Sequence, residues 1–194
     1  MTAEKSGLFF IALVPPQEIQ AQVETVRDLF VERYGSAHAK KSPPHITLKA
    51  PFHWPKDLPE PRPEAELHQF LRQFSQDQAP FAVALDGFSS FPPRVIYLRV
   101  ENSTALNQIQ KTVVQGLKSS FGLAAGGHEN RFVPHMTVAF KDLTPRNYHL
   151  AWAEFASQPL RLDFMATDLV LLAHNGQRWQ VEERYPFLQT TSRH

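Results

Sequence analysis

The chain has 194 residues, 42% of them hydrophobic and 20% charged, with a formal net charge of +1 and no cysteine. Such a composition excludes disordered, collagen-like and disulfide-framework chains, and the missing thiols exclude thiolate nucleophiles and thiolate metal sites. The balanced charge excludes a protein that coats nucleic acid through many phosphate contacts, but it suits one short phosphorylated substrate held at a single site.

Residues 8–14 form an apolar run that stops at Pro15-Pro16. It is far shorter than the roughly 20 residues of a membrane helix, so it reads as a buried strand, and the protein as cytoplasmic with no membrane partner. Residues 17–34 repeat apolar side chains at helical spacing (Ile19, Val23, Val26, Leu29, Phe30), with Glu24, Arg27 and Asp28 read as a solvated face and Gly35 as the stop. After the break Ser42-Pro43-Pro44, residues 45–49 alternate like a strand. A proline-rich loop over 54–64 leads to a short amphipathic helix over 65–74. Strands over 81–88 and 95–101, joined by a short link, pair antiparallel. A second long helix spans 104–121, a glycine-containing loop 124–130, a strand 133–140 and a short helix 148–156. Residues 160–173 and 177–186 read as a closing hairpin around Asn175-Gly176, a strong turn signal.

No low-complexity tract divides the chain, which reads as one globular domain over residues 1–194. Its most informative feature is a faint internal repeat. Pro44-His45-Ile46-Thr47-Leu48 matches Pro134-His135-Met136-Thr137-Val138 position by position at a spacing of 90 residues, from 45 to 135. That is too long for a solenoid period and suits two duplicated lobes about a pseudo-twofold axis.

Side chains at i and i+2 of a strand share a face. His45 and Thr47 therefore point one way and Ile46 and Leu48 the other; His135 and Thr137 oppose Met136 and Val138 in the same manner. Two lobes facing each other would bring two imidazoles and two hydroxyls around one point. In-line displacement at phosphorus needs a base on the entering oxygen and an acid on the leaving one. Imidazole can serve as either near neutral pH. Each threonine hydroxyl can donate to a non-bridging phosphate oxygen. A strained 2′,3′-cyclic phosphate would need no metal and no cofactor.

These residues resemble the two-histidine (2H) phosphoesterase superfamily, and within it the bacterial branch named for 2′-5′ RNA ligase or RNA 2′,3′-cyclic phosphodiesterase. The likeness spans nearly the whole chain. It includes Leu8-Phe9-Phe10-Ile11-Ala12-Leu13, both His-X-Thr segments, Phe91-Pro92-Pro93-Arg94-Val95-Ile96 and the Asn175-Gly176 turn. It implies a bilobal α+β fold, each lobe an antiparallel sheet backed by helices, with the site in the cleft between. It implies metal-independent hydrolysis of 2′,3′-cyclic phosphate ends of RNA or nucleotides, with reverse 2′-5′ ligation as a related reaction. By the same likeness His45 and His135 are the acid–base pair, His45 acting as the acid, and Thr47 and Thr137 are the oxygen donors.

Other residues are candidates for substrate binding, each with a plainer alternative. Lys49 shares the face of His45 and would attract phosphate, or is a solvated lysine. Arg94 and Arg131 precede strands near the cleft and would grip phosphate, or are surface arginines. Phe52 and Trp54, in a loop over 49–63 that is longer than in compact relatives, would stack a base, or pack the loop. His174 and Trp179 flank the last turn and would line the cleft edge, or hold the hairpin. His38 and His128 read as exposed bystanders, and His53, His68, His149 and His194 have no partner motif. No pair of histidines has the helical ligand spacing of a zinc site.

The expected partner is an RNA terminus or a small cyclic nucleotide, with no obligate protein partner and a monomeric state. An enzyme acting on another small nucleotide, such as ADP-ribose cyclic phosphate, and a catalytically silent RNA-binding module are the competing readings.

Overall fold

The computed structural model describes residues 7–127 and 129–188; His128 and His194 lie outside them. In chain order the strands are β1 (Leu8–Leu13), β2 (Ile46–His53), β3 (Phe81–Phe91), β4 (Val95–Val100), β5 (His135–Ala139), β6 (Arg161–Ala166), β7 (Asp168–His174) and β8 (Trp179–Pro186). The helices are α1 (Gln17–Tyr34), α2 (Glu64–Gln76), α3 (Thr104–Phe121) and α4 (Pro145–Phe155), with a 3-10 turn at His38–Lys41. They form two four-stranded sheets, ordered β2-β1-β7-β8 and β5-β4-β3-β6, in which the recorded pairings are antiparallel.

The orders correspond strand for strand, and each His-X-Thr strand is the outer strand at one end of its sheet. The α+β architecture with an antiparallel sheet and helices in each half is as the sequence leads one to expect. The long helices change sides. Helix α1, which follows β1 of the first sheet, packs against β5 of the second; α3, which follows β4 of the second, packs against β2 of the first. Both end at a glycine in the left-handed conformation, Gly35 at φ 67° and Gly122 at φ 68°, where a side chain would be strained. Ser103 accepts from the Leu106 amide and Thr144 from the Asn147 amide, capping the starts of α3 and α4.

Strand β1 is buried on both faces, which is why it is apolar without alternation. Phe9, Ile11 and Leu13 belong to a main core that includes Ile46 and Leu48 of β2, Met136 and Val138 of β5 and the apolar stripe of α3. Phe10, Ala12 and Val14 form a second cluster with Val170 and Leu172, against which Trp179 packs.

The structure corrects the sequence reading of several elements. Residues 160–173 are not one strand: the chain leaves the second sheet after Ala166 and joins the first at Asp168. The change of pattern there, from the alternation of Leu162, Phe164 and Ala166 to the continuous burial of residues 169–172, marks the crossing. Strand β2 runs on to His53 and absorbs the start of the expected loop. Arg27 is not on a solvated face, since only 1% of it is exposed.

Candidate active site

Each motif histidine sits where its outer strand begins, and the sequence just before it fixes its ring. His45 Nδ1 donates to the Pro43 carbonyl at 2.7 Å, and His135 Nδ1 donates to the Val133 carbonyl at 2.7 Å. A carbonyl can only accept, so both rings carry their proton on Nδ1 when neutral, and the reactive lone pair is on Nε2. Alternation does the rest. Ile46, Leu48, Met136 and Val138 are each at most 1% exposed, which anchors both strands and turns Thr47 and Thr137 to the opposite face. Strand β2 lies against β5, and His135 is close enough for its charge to act on His45.

The two rings have different surroundings. Phe10 stands 4.7 Å from His45 between ring centres, Trp179 stands 4.6 Å from Phe10, and His174 stands 4.9 Å from Trp179. These residues come from β1, β8 and β7, so the first sheet lays an aromatic wall beside His45. In the second sheet Tyr97 lies 5.1 Å and Phe91 5.2 Å from His135. Burial pushes the His45 imidazole down to about 4, the Pro43 carbonyl works against this, and the charges of Arg27 and His135 add to it. His45 is therefore a neutral ring at pH 7.

The other sequence candidates separate. His174 and Trp179 face each other across β7 and β8 and reach the wall beside His45. Arg94 is exposed in the β3–β4 link, next to the strand end that carries Phe91, and Arg131 is exposed four residues before His135. Lys49 does not face the cleft as a phosphate anchor. It is 4% exposed and its Nζ donates to Glu129 Oε2 and the Ala124 carbonyl, each at 2.9 Å, because a bulge in the β1–β2 register falls between Thr47 and Lys49. Phe52 and Trp54 are core residues. Phe52 lies against Phe9, and Trp54 packs edge-on to Phe121 while its indole N–H donates to the Arg62 carbonyl. Neither leaves a face for a base.

Among the remaining histidines, His38 packs edge-on against Phe140, His53 lies near Asp57, and His68 bonds Glu183 and Tyr185 behind the first sheet. Among the described residues no group of three or more His, Asp or Glu side chains is placed to hold a metal ion. No helix of the described residues is long and apolar enough to cross a membrane.

Sequence reasoning missed Phe10, Tyr97 and Arg27 as site residues. Phe10 and Tyr97 carry no signal of their own, being aromatic residues in apolar strands. Arg27 did leave a signal, since it continues the buried stripe Ile19, Val23, Phe30 and Tyr34 at helical spacing.

Residues 15–178 match the family described as the 2′-5′ RNA ligase superfamily. A Geobacillus kaustophilus protein, GK0864, provisionally named a phosphoesterase, is 30% identical over 179 residues, covering 90% of this chain and 93% of its own. A provisionally named phosphoesterase from Bacillus cytotoxicus is 32% identical over 133 residues, 68% of each chain. Among solved structures, Escherichia coli LigT in apo form superimposes with a TM-score of 0.64 at 21% identity, over 96% of this chain and 99% of that one. Thermus thermophilus TT0787 does so with a TM-score of 0.61 at 20% identity, over 94% and 99%. These last two likenesses bear on the fold. The family match and the Geobacillus relative place the chain in the 2′-5′ RNA ligase superfamily, the two-histidine phosphoesterases.

Proposed function

We propose that this phosphoesterase hydrolyses 2′,3′-cyclic phosphate ends of RNA or nucleotides by acid–base catalysis between His45 and His135, without a metal. The observation that carries the reading is the matched pair of Nδ1–carbonyl bonds, which gives both rings the same tautomer and the same reactive nitrogen. Two such nitrogens on adjacent outer strands suit a reaction that takes up one proton and releases another.

The environments favour one assignment of roles, opposite to the one the family resemblance implies. Neutral His45 accepts a proton from water through Nε2 as the water oxygen attacks phosphorus. His135, protonated, donates from Nε2 to the ribose oxygen as its bond to phosphorus breaks, leaving a phosphomonoester and a free hydroxyl. Thr47 and Thr137 donate to the non-bridging oxygens, where charge accumulates. Trp179 and His174, half-buried and backed by the buried Phe10, offer a π surface to a nucleobase, and Arg94 and Arg131 offer cations to a phosphate backbone. A crystal structure of the fold neighbour LigT contains 3′-AMP, a nucleotide of the class proposed here.

The test is hydrolysis of 2′,3′-cyclic nucleotides, and of a short RNA ending in a cyclic phosphate, with a chelator present. Turnover by the wild type that is lost in His45→Ala and in His135→Ala is the expected result, and the product isomer identifies the leaving oxygen. Turnover that disappears on adding chelator would overturn the metal-free mechanism. An inactive wild type with intact phosphate binding would point to another substrate, and turnover of ADP-ribose cyclic phosphate alone would identify the small-nucleotide reading.

A further inference from the structure

The most deeply buried charge near the site is one the proposed reaction does not use. Arg27, in the third turn of α1, is 1% exposed, and its guanidinium is spread across both halves of the molecule. Its Nη1 donates to the carbonyl of Ser42 at 2.8 Å, three residues before His45. Its Nε and Nη2 donate to the carbonyl of Thr137 at 3.3 and 3.0 Å, within the second motif itself. Nη1 also donates to Glu24 Oε1 at 2.8 Å, which supplies a compensating charge one turn away.

Strand β5 is the outer strand at its end of the second sheet, and the Thr137 carbonyl is bonded by this side chain of α1. The other lobe repeats the device with a neutral residue. Gln110 of α3 donates through Nε2 to the carbonyl of Leu48 on outer strand β2, at 3.5 Å, and to the carbonyl of Glu129, at 3.3 Å. The exchange of helices between lobes therefore places a polar side chain on each motif strand. Each side chain joins the approach to one motif with the backbone of the other, Gln110 through one amide at 3.3 and 3.5 Å and Arg27 through a charged fork at 2.8 to 3.3 Å.

We propose that Arg27 is a positioning residue that sets the spacing and orientation of the two His-X-Thr motifs, by bonding the Ser42 and Thr137 carbonyls with one rigid planar group. The reason for arginine is geometric. Its donors diverge in a fixed plane, so two carbonyls bonded to it cannot shift independently, whereas the single ammonium of lysine imposes no such relation. Acid–base catalysis on both sides of one phosphorus depends on that relation, and a misplacement of about 1 Å costs about a hundredfold in rate. The same cation also acts on His45, together with His135 on β5; the ring contact from β1 is Phe10, which Trp179 of β8 backs.

The proposal rests on the acid–base reading above, and its test separates the two. Arg27→Lys and Arg27→Met are compared with the wild type, with Arg33→Met on the same helix as a control for surface charge. Two quantities are measured: kcat and KM on a 2′,3′-cyclic nucleotide, and the NMR titration of the His45 ring. Arg27→Met should lower kcat about a hundredfold with KM changed only a few-fold, while the His45 midpoint rises. Arg27→Lys keeps the charge without the fork, so it should recover part of kcat and hold the midpoint nearer the wild-type value. Arg33→Met should change neither. Where Arg27→Met does not fold, Arg27→Lys decides: wild-type kcat in that variant overturns the proposal. If the wild type hydrolyses no cyclic nucleotide, the substrate reading fails on its own, and a His45 midpoint unmoved in folded Arg27→Met overturns the role of Arg27.

Discussion

Lys49 and Glu129 form an ion pair of 2.9 Å in which each side chain is only 5% exposed, joining the strand after the first motif to the loop before the second. Glu129 also accepts from the Ala50 amide at 2.7 Å and from the Gly126 amide. A reciprocal clamp exists on the other side. Asp142, beyond the second motif, accepts from Ser36 Oγ and from the Ala37 and His38 amides, ahead of the first motif. The segments that flank the histidines are thus tied crosswise by two carboxylates.

For Lys49 this gives an outcome that differs from phosphate binding. Removing one partner of a buried pair leaves an uncompensated charge and costs about 3–5 kcal/mol. Lys49→Ala should lose stability on that scale in urea unfolding, while KM of the folded fraction stays near the wild-type value. A large rise in KM at unchanged stability would return Lys49 to the substrate.

The threonines should report on the transition state. Thr47→Val and Thr137→Val keep shape and strand propensity but remove a donor. Each should lower kcat by about 10²–10³ while changing KM little, as for other donors aimed at developing charge. Steady-state kinetics on a cyclic nucleotide distinguishes this from loss of ground-state binding, in which KM alone rises.

His45 makes stability depend on pH in a definite direction. Its folded value of about 4, depressed chiefly by burial, lies below its ordinary 6.5. Between these values the unfolded chain holds a proton there that the folded chain does not, so stability rises with pH across the window. The destabilisation is absent above about 6.5 and complete below about 4, amounting to at most about 3 kcal/mol. Urea midpoints measured across that window should fall as pH falls, and the slope should flatten in His45→Gln. An equally steep slope in the variant would assign it to other groups.

Two tryptophans that look alike in sequence should behave differently. Trp54→Ala removes a buried ring packed on Phe121, and should destabilise by about 3–5 kcal/mol with little effect on the chemistry of what remains folded. Trp179→Ala uncovers Phe10 and the wall beside His45, and should raise KM for a nucleotide substrate with a smaller loss of stability. Thermal unfolding and kinetics on both variants check the contrast.

The sequence by itself determined the repeat, both His-X-Thr elements and which side of each strand they face, because alternation in a strand is a local property read directly from Ile46, Leu48, Met136 and Val138. Helices α1 and α3 were legible to the residue for the same reason, with a glycine to end each. Only the tertiary structure decided what surrounds the motifs. Lys49, Phe52 and Trp54 follow the first motif closely in sequence, yet a register bulge and the continuation of β2 take them into the interior. Phe10 and Tyr97 reach the histidines from other strands, through pairings that no local pattern specifies. Arg27 is the clearest case. Its charge suggested solvent, but the exchange of helices between lobes buries it, and long-range packing supplies the two backbone carbonyls that, with Glu24 one turn away, make a buried guanidinium stable.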